Sequence, residues 1–357
     1  MKARTALVLH YNPVKLYPPA ESGIRFLQQS GLDVNVITTQ VYDGQTVSKL
    51  LLFFRILSFN FRALWCIARK SVDLLVVYEH LSIPPVRLCR LLQPRCKIWL
   101  HFHEYSSPEE VKGGGVYARY CWAQVEKVIN DVSLYTHTNV WRLNQFQKDF
   151  ECDTPCIEKG RFIPNTPPKS WIDRASSIRK EVNREEKPVR LVYHGAVHPG
   201  STYIVQLYQI LRSDPGKYTL DIYSRDDIVE GYNEDVHWHD SIPFDDLADV
   251  LPTYDLGLIL YKGHIPNYVH NVPNKFWEYR ASGLGVMVPY GMNFTLVPPS
   301  HRTSTVMFDF QIGTPHGFEE LIETTRRSNC HHSSVRPIEF HLSNIFEALG
   351  FDTDSDG

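Results

Sequence analysis

Short runs of apolar residues alternate with longer stretches in which apolar residues recur at helical spacing. In the first half, the runs predict strands at Ala6–His10, Val34–Thr38, Leu74–Val77, Ile98–Phe102 and Arg161–Ile163. The stretches between them predict helices at Glu21–Ser30, Ser48–Lys70, Pro85–Leu92, Tyr117–Ile129 and Trp141–Phe150. Because apolar strands separated by helices are typical of a parallel sheet with both faces covered, this half is predicted to be an α/β domain.

The alternation is interrupted by the turn-forming run Pro164–Pro168 and a polar stretch from Lys169 to Lys187, which predicts a linker or a connecting helix. It then starts again. The later strands are predicted near Arg190–Tyr193, Thr219–Tyr223, Leu256–Ile259 and Val286–Val288, and the helices near Tyr203–Leu211, Phe244–Leu251, Asn274–Ser282 and Phe318–Thr325. The fold class is therefore predicted to be α/β, with two Rossmann-like parallel-sheet domains in tandem and a cleft between them.

The chain of 357 residues has a suitable length for two such domains. The predicted boundaries are 1–168 for the first domain, 169–188 for the linker, 189–340 for the second domain and 341–357 for a C-terminal helix with a frayed acidic tail.

Composition excludes several other classes of protein. A hydrophobic fraction of 43% with ordinary glycine and proline content excludes disordered and collagen-like chains. No run of 18 uncharged apolar residues occurs, so no transmembrane helix is predicted. The net charge of −3 argues against nucleic acid as a partner. Residues 1–165 nevertheless carry a net +6 and the remainder −9, so the first half is better suited to an anionic partner.

Cysteine usage favours a reducing compartment. Seven cysteines, an odd number, follow an N-terminus without a long apolar leader, which predicts a cytoplasmic protein with free thiols. Cys152 with Cys156, and Cys330 with the adjoining His331 and His332, lack further ligands at metal-binding spacing. No metal site is predicted.

The predicted helix Lys49–Lys70 supports two interpretations. It is very apolar and aromatic, and Arg55, Arg62 and Arg69 recur every seven residues. Such a helix is able to lie on an anionic membrane surface. The alternative, which we favour from the sequence, is an ordinary crossover helix buried on the sheet with a narrow exposed ridge.

The turns that follow strands are the places to search for ligand sites. Residues 10–15 after the first strand contain no G-x-G-x-x-G motif, and the chain has no P-loop, so nicotinamide, flavin and P-loop enzymes are disfavoured. Residues 194–202 contain Gly195 and Gly200, and Ser201 or Thr202 is placed to cap the next helix and create an anion site. An ordinary strand–turn–helix joint explains the same glycines.

The segment 271–289 is the most informative. Asn274 suits a helix start, Gly283 suits its end, and Lys275 stands in the first turn, where a cation opposes the helix dipole unless an anion binds there. Glu278 is able to accept two hydrogen bonds from a diol such as a ribose. The competing interpretation is an amphipathic helix with both charged side chains in solvent.

Residues 273–283, PNKFWEYRASG, resemble the signature of retaining GT-B glycosyltransferases that use nucleotide-sugar donors, and other similarities follow in order along nearly the whole chain. The segment 193–200 resembles the donor-domain glycine loop, 236–247 the base-binding segment and its helix, and 255–258 the strand before the signature. In the first half, 100–104 resembles the acceptor-domain strand end and 163–167 the turn at the domain junction.

This resemblance implies a GT-B glycosyltransferase. It would transfer a sugar, with retention, from a nucleotide-diphosphate donor to a hydroxyl of a saccharide or lipid-linked glycan in surface polysaccharide or glycoconjugate synthesis. The donor is a co-substrate, and no cofactor or metal is implied because helix N-termini and basic side chains neutralise the diphosphate. The implied catalytic residues are His103, Lys275 and Glu278, and the donor-binding residues are Gly195, Gly200, Ser201, Thr202, Tyr223, Ile242, Asn274, Lys275 and Glu278. The acceptor-side residues are His101, His103 and Glu104.

Three departures from the family pattern motivate a second hypothesis. The glycine loop contains no Arg or Lys, His270 replaces a glutamate, and Gly285 replaces a proline. The alternative is a non-catalytic scaffold that binds a nucleotide or saccharide or supports a partner enzyme; a sugar-nucleotide epimerase is a weaker third idea.

His101 and His103 point the same way from a strand, because side chains alternate. They are predicted either to face a cleft or to be ordinary hydrogen-bonded histidines at a strand end. The following glycines, 113–115, suit an acceptor loop or a plain linker.

Overall fold

A computed structural model describes residues 4–39, 48–181, 188–231, 234–311, 313–314, 317–320, 322–323 and 335–351. The chain divides into two compact units. The first unit consists of Met1–Pro164 with Ile338–Gly357, and the second of Asn165–Pro337.

In the described part of the first unit, six parallel strands form one sheet in the order β2-β1-β3-β4-β5-β6. These strands are β1 (Thr5–His10), β2 (Asp33–Thr38), β3 (Leu74–Tyr78), β4 (Lys97–Phe102), β5 (Leu134–His137) and β6 (Gly160–Phe162). The helices are α1 (Pro18–Gln29), α2 (Lys49–Arg69), α3 (Val86–Leu92), α4 (Pro108–Gly113), α5 (Val116–Val128), α6 (Val140–Asp149) and α7 (Thr154–Ile157).

In the described part of the second unit, another six-stranded parallel sheet has the order β12-β11-β10-β7-β8-β9. Its strands are β7 (Val189–His194), β8 (Tyr218–Ser224), β9 (Val236–Asp240), β10 (Leu256–Leu258), β11 (Gly285–Pro289) and β12 (Thr305–Phe308). The helices are α8 (Lys169–Glu181), α9 (Ile204–Leu211), α10 (Leu247–Val250), α11 (Pro266–Val269), α12 (Asn274–Ala281) and α13 (Pro299–Arg302). Residues 317–320 and 322–323 are also helical; the end of the helix predicted at Phe318–Thr325 lies outside the described residues.

The predicted α/β class with two parallel sheets is confirmed. Both faces of each sheet are covered by apolar clusters, as uniformly buried strands such as β3 require. The sequence pattern missed β5, β9 and β12, which are short or carry polar residues.

Two helices pack within units that their positions in the sequence do not indicate. Helix α8, predicted as a linker or connecting helix, packs against α10 and α12 of the second unit. The last described helix, α14 (Ile338–Ala348), packs on α1 of the first unit, where Phe346 meets Phe26 edge-on at 5.4 Å. The chain therefore returns to its first unit after completing the second.

Helix α2 differs from its sequence prediction in the residues that it exposes. Its inner face packs into the sheet core through Phe59, Ala63 and Ile67, as a crossover helix does. Arg55 is also buried, with its guanidinium 4.6 Å from the Tyr11 ring centroid, so the predicted stripe of three exposed arginines does not exist. The opposite side, here called the α2 outer face, exposes seven large apolar residues: Leu50, Leu51, Phe53, Phe54, Leu57, Phe61 and Trp65. It is not a narrow ridge.

By length and composition alone, α2 is also apolar enough to cross a membrane, although the sequence predicts no transmembrane helix. It is the only such helix among the residues that were described.

Candidate functional site

In the second sheet the strand order reverses at β7, which lies between β8 and β10. Ligands of open parallel sheets bind beyond the carboxyl ends of strands at such a reversal. Gly195 follows β7 directly, and its φ of 105° lies in the region that glycine adopts without strain. Backbone pairing between Thr202 and Tyr261 ties the loop after β7 to the segment after β10. The carboxyl end of β7 is therefore the candidate ligand site of this unit.

Helix α12 approaches this edge and is buried from Lys275 to Ala281. Lys275 is only 7% exposed and Glu278 only 4%. Phe276, Trp277 and Tyr279 are buried in the same cluster, so protein covers both faces of the helix. The interpretation of α12 as an amphipathic helix with solvated charges is therefore wrong. The helix start at Asn274 agrees with the prediction.

The ammonium group of Lys275 lies between aromatic rings. Its Nζ donates to the Tyr193 hydroxyl at 3.2 Å and lies 5.0 Å from the centroid of the Tyr261 ring. A Cβ atom placed on Gly195 would be 3.1 Å from this nitrogen, so the amine reaches the backbone of the loop. Within the described residues, no carboxylate lies at ion-pair distance from Lys275. A buried cation without a counter-charge is costly, and this one is placed to receive an anion beside Gly195.

Glu278 lies one turn further along α12, and its Oε2 is 2.9 Å from Nε2 of His194, the last residue of β7. The hydroxyl of Tyr279 accepts a hydrogen bond from the backbone N–H of the same histidine at 3.3 Å. These contacts fix the helix against the strand end. The Glu278 carboxylate consequently lies beside the His194 ring, at the edge of the sheet.

The other residues implied as donor-binding are spread around this edge. The backbone N–H of Gly195 donates to the carbonyl of Tyr223 at 2.9 Å, which brings the ends of β7 and β8 together. Ile242 is half-buried in the same apolar cluster as Tyr223. Asn274 accepts a hydrogen bond from the side chain of Asn165 at 2.8 Å, so the predicted junction turn contacts the start of α12.

The glycine loop differs from its sequence interpretation. The residue before α9 is Tyr203, and no side chain caps this helix; the hydroxyls of Ser201 and Thr202 donate instead to the carbonyl of His198. The predicted capping is therefore wrong, because the loop turns back on itself first. Gly200 lies at the exposed tip of this turn.

The glycine loop contains no Arg or Lys, but a lysine from the segment after β10 lies beside it. Nζ of Lys262 donates to the carbonyl of Pro199 at 2.6 Å, and its backbone N–H donates to the carbonyl of Ser201 at 2.9 Å. The pairing that holds Lys262 beside the loop is long-range, so no local sequence motif identifies this residue.

In the first unit, four buried histidines lie at the carboxyl edge of the sheet: His10, His101, His103 and His137. His101 is hydrogen-bonded to the Thr136 hydroxyl at 2.6 Å, and burial holds its pKa well below the usual value. Burial also lowers the pKa of His10 to about 4 and that of His137 to about 3, so these rings are neutral at pH 7. His101 and His103 do lie on the same side, with ring centroids 4.4 Å apart.

The carboxylate next to His103 is that of Glu79 and not that of the neighbouring Glu104, which is exposed. Oε1 of Glu79 lies 3.3 Å from Nδ1 of His103 and accepts the backbone N–H of the same residue at 2.7 Å. Burial would raise the pKa of Glu79, but the hydrogen bonding and charge of His103 hold it below its usual value. Glu79 also has a φ of 62°, the kind of backbone strain found at functional sites. No sequence motif marks Glu79 as a site residue.

Solved structures resemble this protein along nearly the whole chain, although neither a protein-family model nor a curated protein matches the sequence. Sucrose-phosphate synthase from Thermosynechococcus elongatus has a TM-score of 0.64 at 12% identity, over 97% of this chain and 99% of that one. A glycosyltransferase from Rickettsia africae ESF-5 gives 0.62 at 12% identity, over 98% and 99%. A UDP-forming α,α-trehalose-phosphate synthase from Burkholderia xenovorans gives 0.62 at 10%, over 98% and 99%. The chain has the GT-B glycosyltransferase fold.

In this GT-B chain, no group of three or more His, Cys, Asp or Glu side chains suited to a metal ion is found where residues are described. Cys152 and Cys156 have their sulfur atoms 2.8 Å apart without such a group around them. The cluster Cys330–His332 lies outside the described residues. Of the glycines 113–115, Gly113 ends α4 and Gly115 precedes α5, so they join two helices.

Proposed function

We propose that this protein is a glycosyltransferase. It transfers a sugar, with retention and without a metal, from a nucleotide-diphosphate donor held by the second unit to a hydroxyl of a saccharide or lipid-linked glycan in glycoconjugate synthesis. The observation that carries the proposal is Lys275, a buried lysine with no carboxylate at ion-pair distance among the described residues, whose amine meets the backbone of Gly195 at the carboxyl end of β7.

The residues at this edge suit the parts of such a donor. The Lys275 ammonium group and the backbone N–H groups at the start of α12 bind the diphosphate and stabilise it as it leaves. Glu278, which lies beside His194, accepts hydrogen bonds from the hydroxyls of the ribose, and Tyr223 with Ile242 lines the base site. Because no protein nucleophile is assigned, the chemistry rests on stabilising the leaving group and on positioning.

The acceptor binds at the histidine edge of the first unit, where His103 donates to a sugar hydroxyl. Glu79 is a positioning residue that keeps the His103 ring in place. The protein works in the cytoplasm, peripheral to the membrane when the acceptor is lipid-linked.

The second candidate function is a non-catalytic scaffold with the same fold. The absence of Arg and Lys from residues 195–202 favours it, since the diphosphate then has fewer cations to stabilise it during transfer. Such a scaffold binds the nucleotide but does not turn over the donor.

Titration with UDP, GDP, ADP, CMP and their sugar conjugates, without added metal, tests the proposal. One diphosphate is expected to stabilise the protein by about 2.7 kcal/mol when present at about 100 times its Kd, measured by thermal shift and calorimetry. Its sugar conjugate should be turned over, and Glu278→Ala should abolish turnover. Glu319→Ala is the control, because this glutamate forms an exposed ion pair with Lys217 at the opposite edge of the sheet.

Binding of a diphosphate with no turnover of any conjugate, across a panel of saccharide and lipid-linked acceptors, would establish the scaffold function instead. If the protein is folded and binds none of these nucleotides or sugar conjugates, both functions are contradicted.

We expect Lys262 to supply the cation that the glycine loop lacks. Lys262→Met should raise the Kd of the diphosphate about 5-fold, or about 1 kcal/mol, because a cation that is partly exposed to water contributes little. The effect should shrink at high salt. Lys217→Met, an exposed lysine of the same unit, should leave the Kd unchanged; an equal Kd for Lys262→Met and wild type would exclude this role.

A further inference from the structure

The α2 outer face is an apolar surface that the described fold leaves uncovered. Its side chains are between 49% and 66% exposed, and Phe61 stacks on Trp65 at a centroid distance of 6.0 Å. Exposed apolar patches of this extent mark a surface that binds another protein or a membrane.

Helix α3 extends this surface at one end. The side chain of Gln93 donates to the carbonyls of Ile67 and Lys70 at 2.5 and 2.7 Å, which fastens the end of α3 to the end of α2. Leu91 and Leu92 directly precede this glutamine and are 76% and 49% exposed. The α2 outer face and the end of α3 therefore form one surface, here called the α2–α3 surface.

The charged side chains of helices α2 and α3 themselves all have one sign. Residues 48–72 and 80–103 contain nine Lys and Arg residues and no Asp or Glu. Of these cations, Arg62, Arg69, Arg87 and Arg90 are exposed on the two helices, and Arg69 packs over the Trp65 ring at 4.3 Å. A flat arrangement of aromatic residues with flanking arginines matches the interface of a bilayer that contains anionic lipid.

A second copy of the chain fits less well, because a symmetric contact would bring two cationic faces together without acidic partners. Spanning of the bilayer by α2 is also disfavoured. Its inner face is occupied by the core of the first unit through Phe59, Ala63 and Ile67, so insertion across the membrane would require that unit to unfold.

We propose that the α2–α3 surface binds the first unit to anionic phospholipid membranes, with α2 parallel to the bilayer and its outer face in the interfacial region. This inference deepens the membrane location included in the proposed function. It does not depend on donor binding or turnover.

Sedimentation with phosphatidylcholine vesicles, with and without phosphatidylglycerol, tests the inference on the full chain. We expect binding to the anionic vesicles that is on the order of 10-fold stronger than to neutral ones and is weakened by salt. The triple variant Phe54→Gln, Leu57→Gln, Phe61→Gln should lose at least about 10-fold in binding. Because these side chains are exposed, its thermal unfolding should match that of wild type.

The matched control removes three exposed apolar side chains from the same unit but from other elements. This triple variant, which carries Val140→Gln, Ile157→Gln and Phe162→Gln, should bind vesicles as wild type does. Brominated lipids should quench the fluorescence of wild type, and this quenching should fall in Trp65→Phe while vesicle binding persists.

Failure of wild type to bind anionic vesicles, or equal binding by the Phe54, Leu57 and Phe61 variant, would overturn the inference. A lipid-free dimer that the same variant dissociates would also overturn it, in favour of a second copy of the chain. In each case donor titration reports separately on the proposed transferase.

Discussion

Replacement of Lys275 by methionine is expected to weaken binding of the nucleotide diphosphate by about 100-fold, or about 2.8 kcal/mol. The ammonium group is buried beside Gly195, where a charge-assisted hydrogen bond to phosphate is shielded from water and is correspondingly strong. Methionine keeps the length and apolar contacts of the side chain, so the change removes mainly the charge. Calorimetry with the diphosphate that wild type binds measures the loss.

The same replacement should not destabilise the protein without ligand. Since Lys275 lacks a carboxylate partner in the described part of the chain, removing its charge relieves a desolvation cost, and we expect the free energy of unfolding to stay equal or to rise by about 1 kcal/mol. A purely structural lysine would show the reverse pattern, with lost stability and unchanged affinity. Lys217→Met is the control for both measurements, and unchanged diphosphate affinity in Lys275→Met would contradict the proposed donor site.

Strand β3, whose side chains are apolar throughout, was predicted from Leu74 to Val77 and ends one residue later, at Tyr78. Strand β5 was missed because two of its four residues, Thr136 and His137, are polar residue types. Both are buried, and Thr136 receives the hydrogen bond of Trp99 at 2.8 Å from the neighbouring strand. Hydrogen bonds between neighbouring strands thus satisfy buried polar side chains, and the hydropathy of a single stretch of sequence does not reveal them.

Candidate residues of the site were found by motif, but their surroundings were not. The resemblance singled out Lys275 and Glu278, while their burial depends on the cluster that covers α12 from both sides. Glu79 and Lys262 were missed for a related reason. Each meets its partner through strand ends that are distant in sequence, so no spacing rule places Glu79 beside His103 or Lys262 beside Pro199.

Helix α2 shows what hydrophobic periodicity does not determine. Its seven-residue arginine spacing suggested a cationic ridge, yet Arg55 turns inward to Asn12 and the Tyr11 ring. Because both faces of the helix are apolar, the pattern alone did not indicate which face the sheet covers.

Gly257→Ala is expected to destabilise the second unit by about 3 kcal/mol. Gly257 lies in the middle of β10, and a Cβ atom there would lie 2.2 Å from the Tyr279 ring of α12. That ring is fully buried and its hydroxyl is bound to the backbone of His194, so it has no room to move aside. The methyl group must therefore push the helix away from the sheet. Urea unfolding of the full chain measures the loss.

The displacement should also reach the donor site, because α12 carries both Lys275 and Glu278. At temperatures where Gly257→Ala is still folded, we expect diphosphate affinity to fall, since a shift of the helix separates Lys275 from Gly195. Gly291→Ala is the matched control, because a Cβ atom there meets nothing within 4 Å. Adding Tyr279→Leu to Gly257→Ala should recover part of the lost stability by making room for the methyl group. Wild-type stability in Gly257→Ala would mean that close contact between β10 and α12 does not hold the site together.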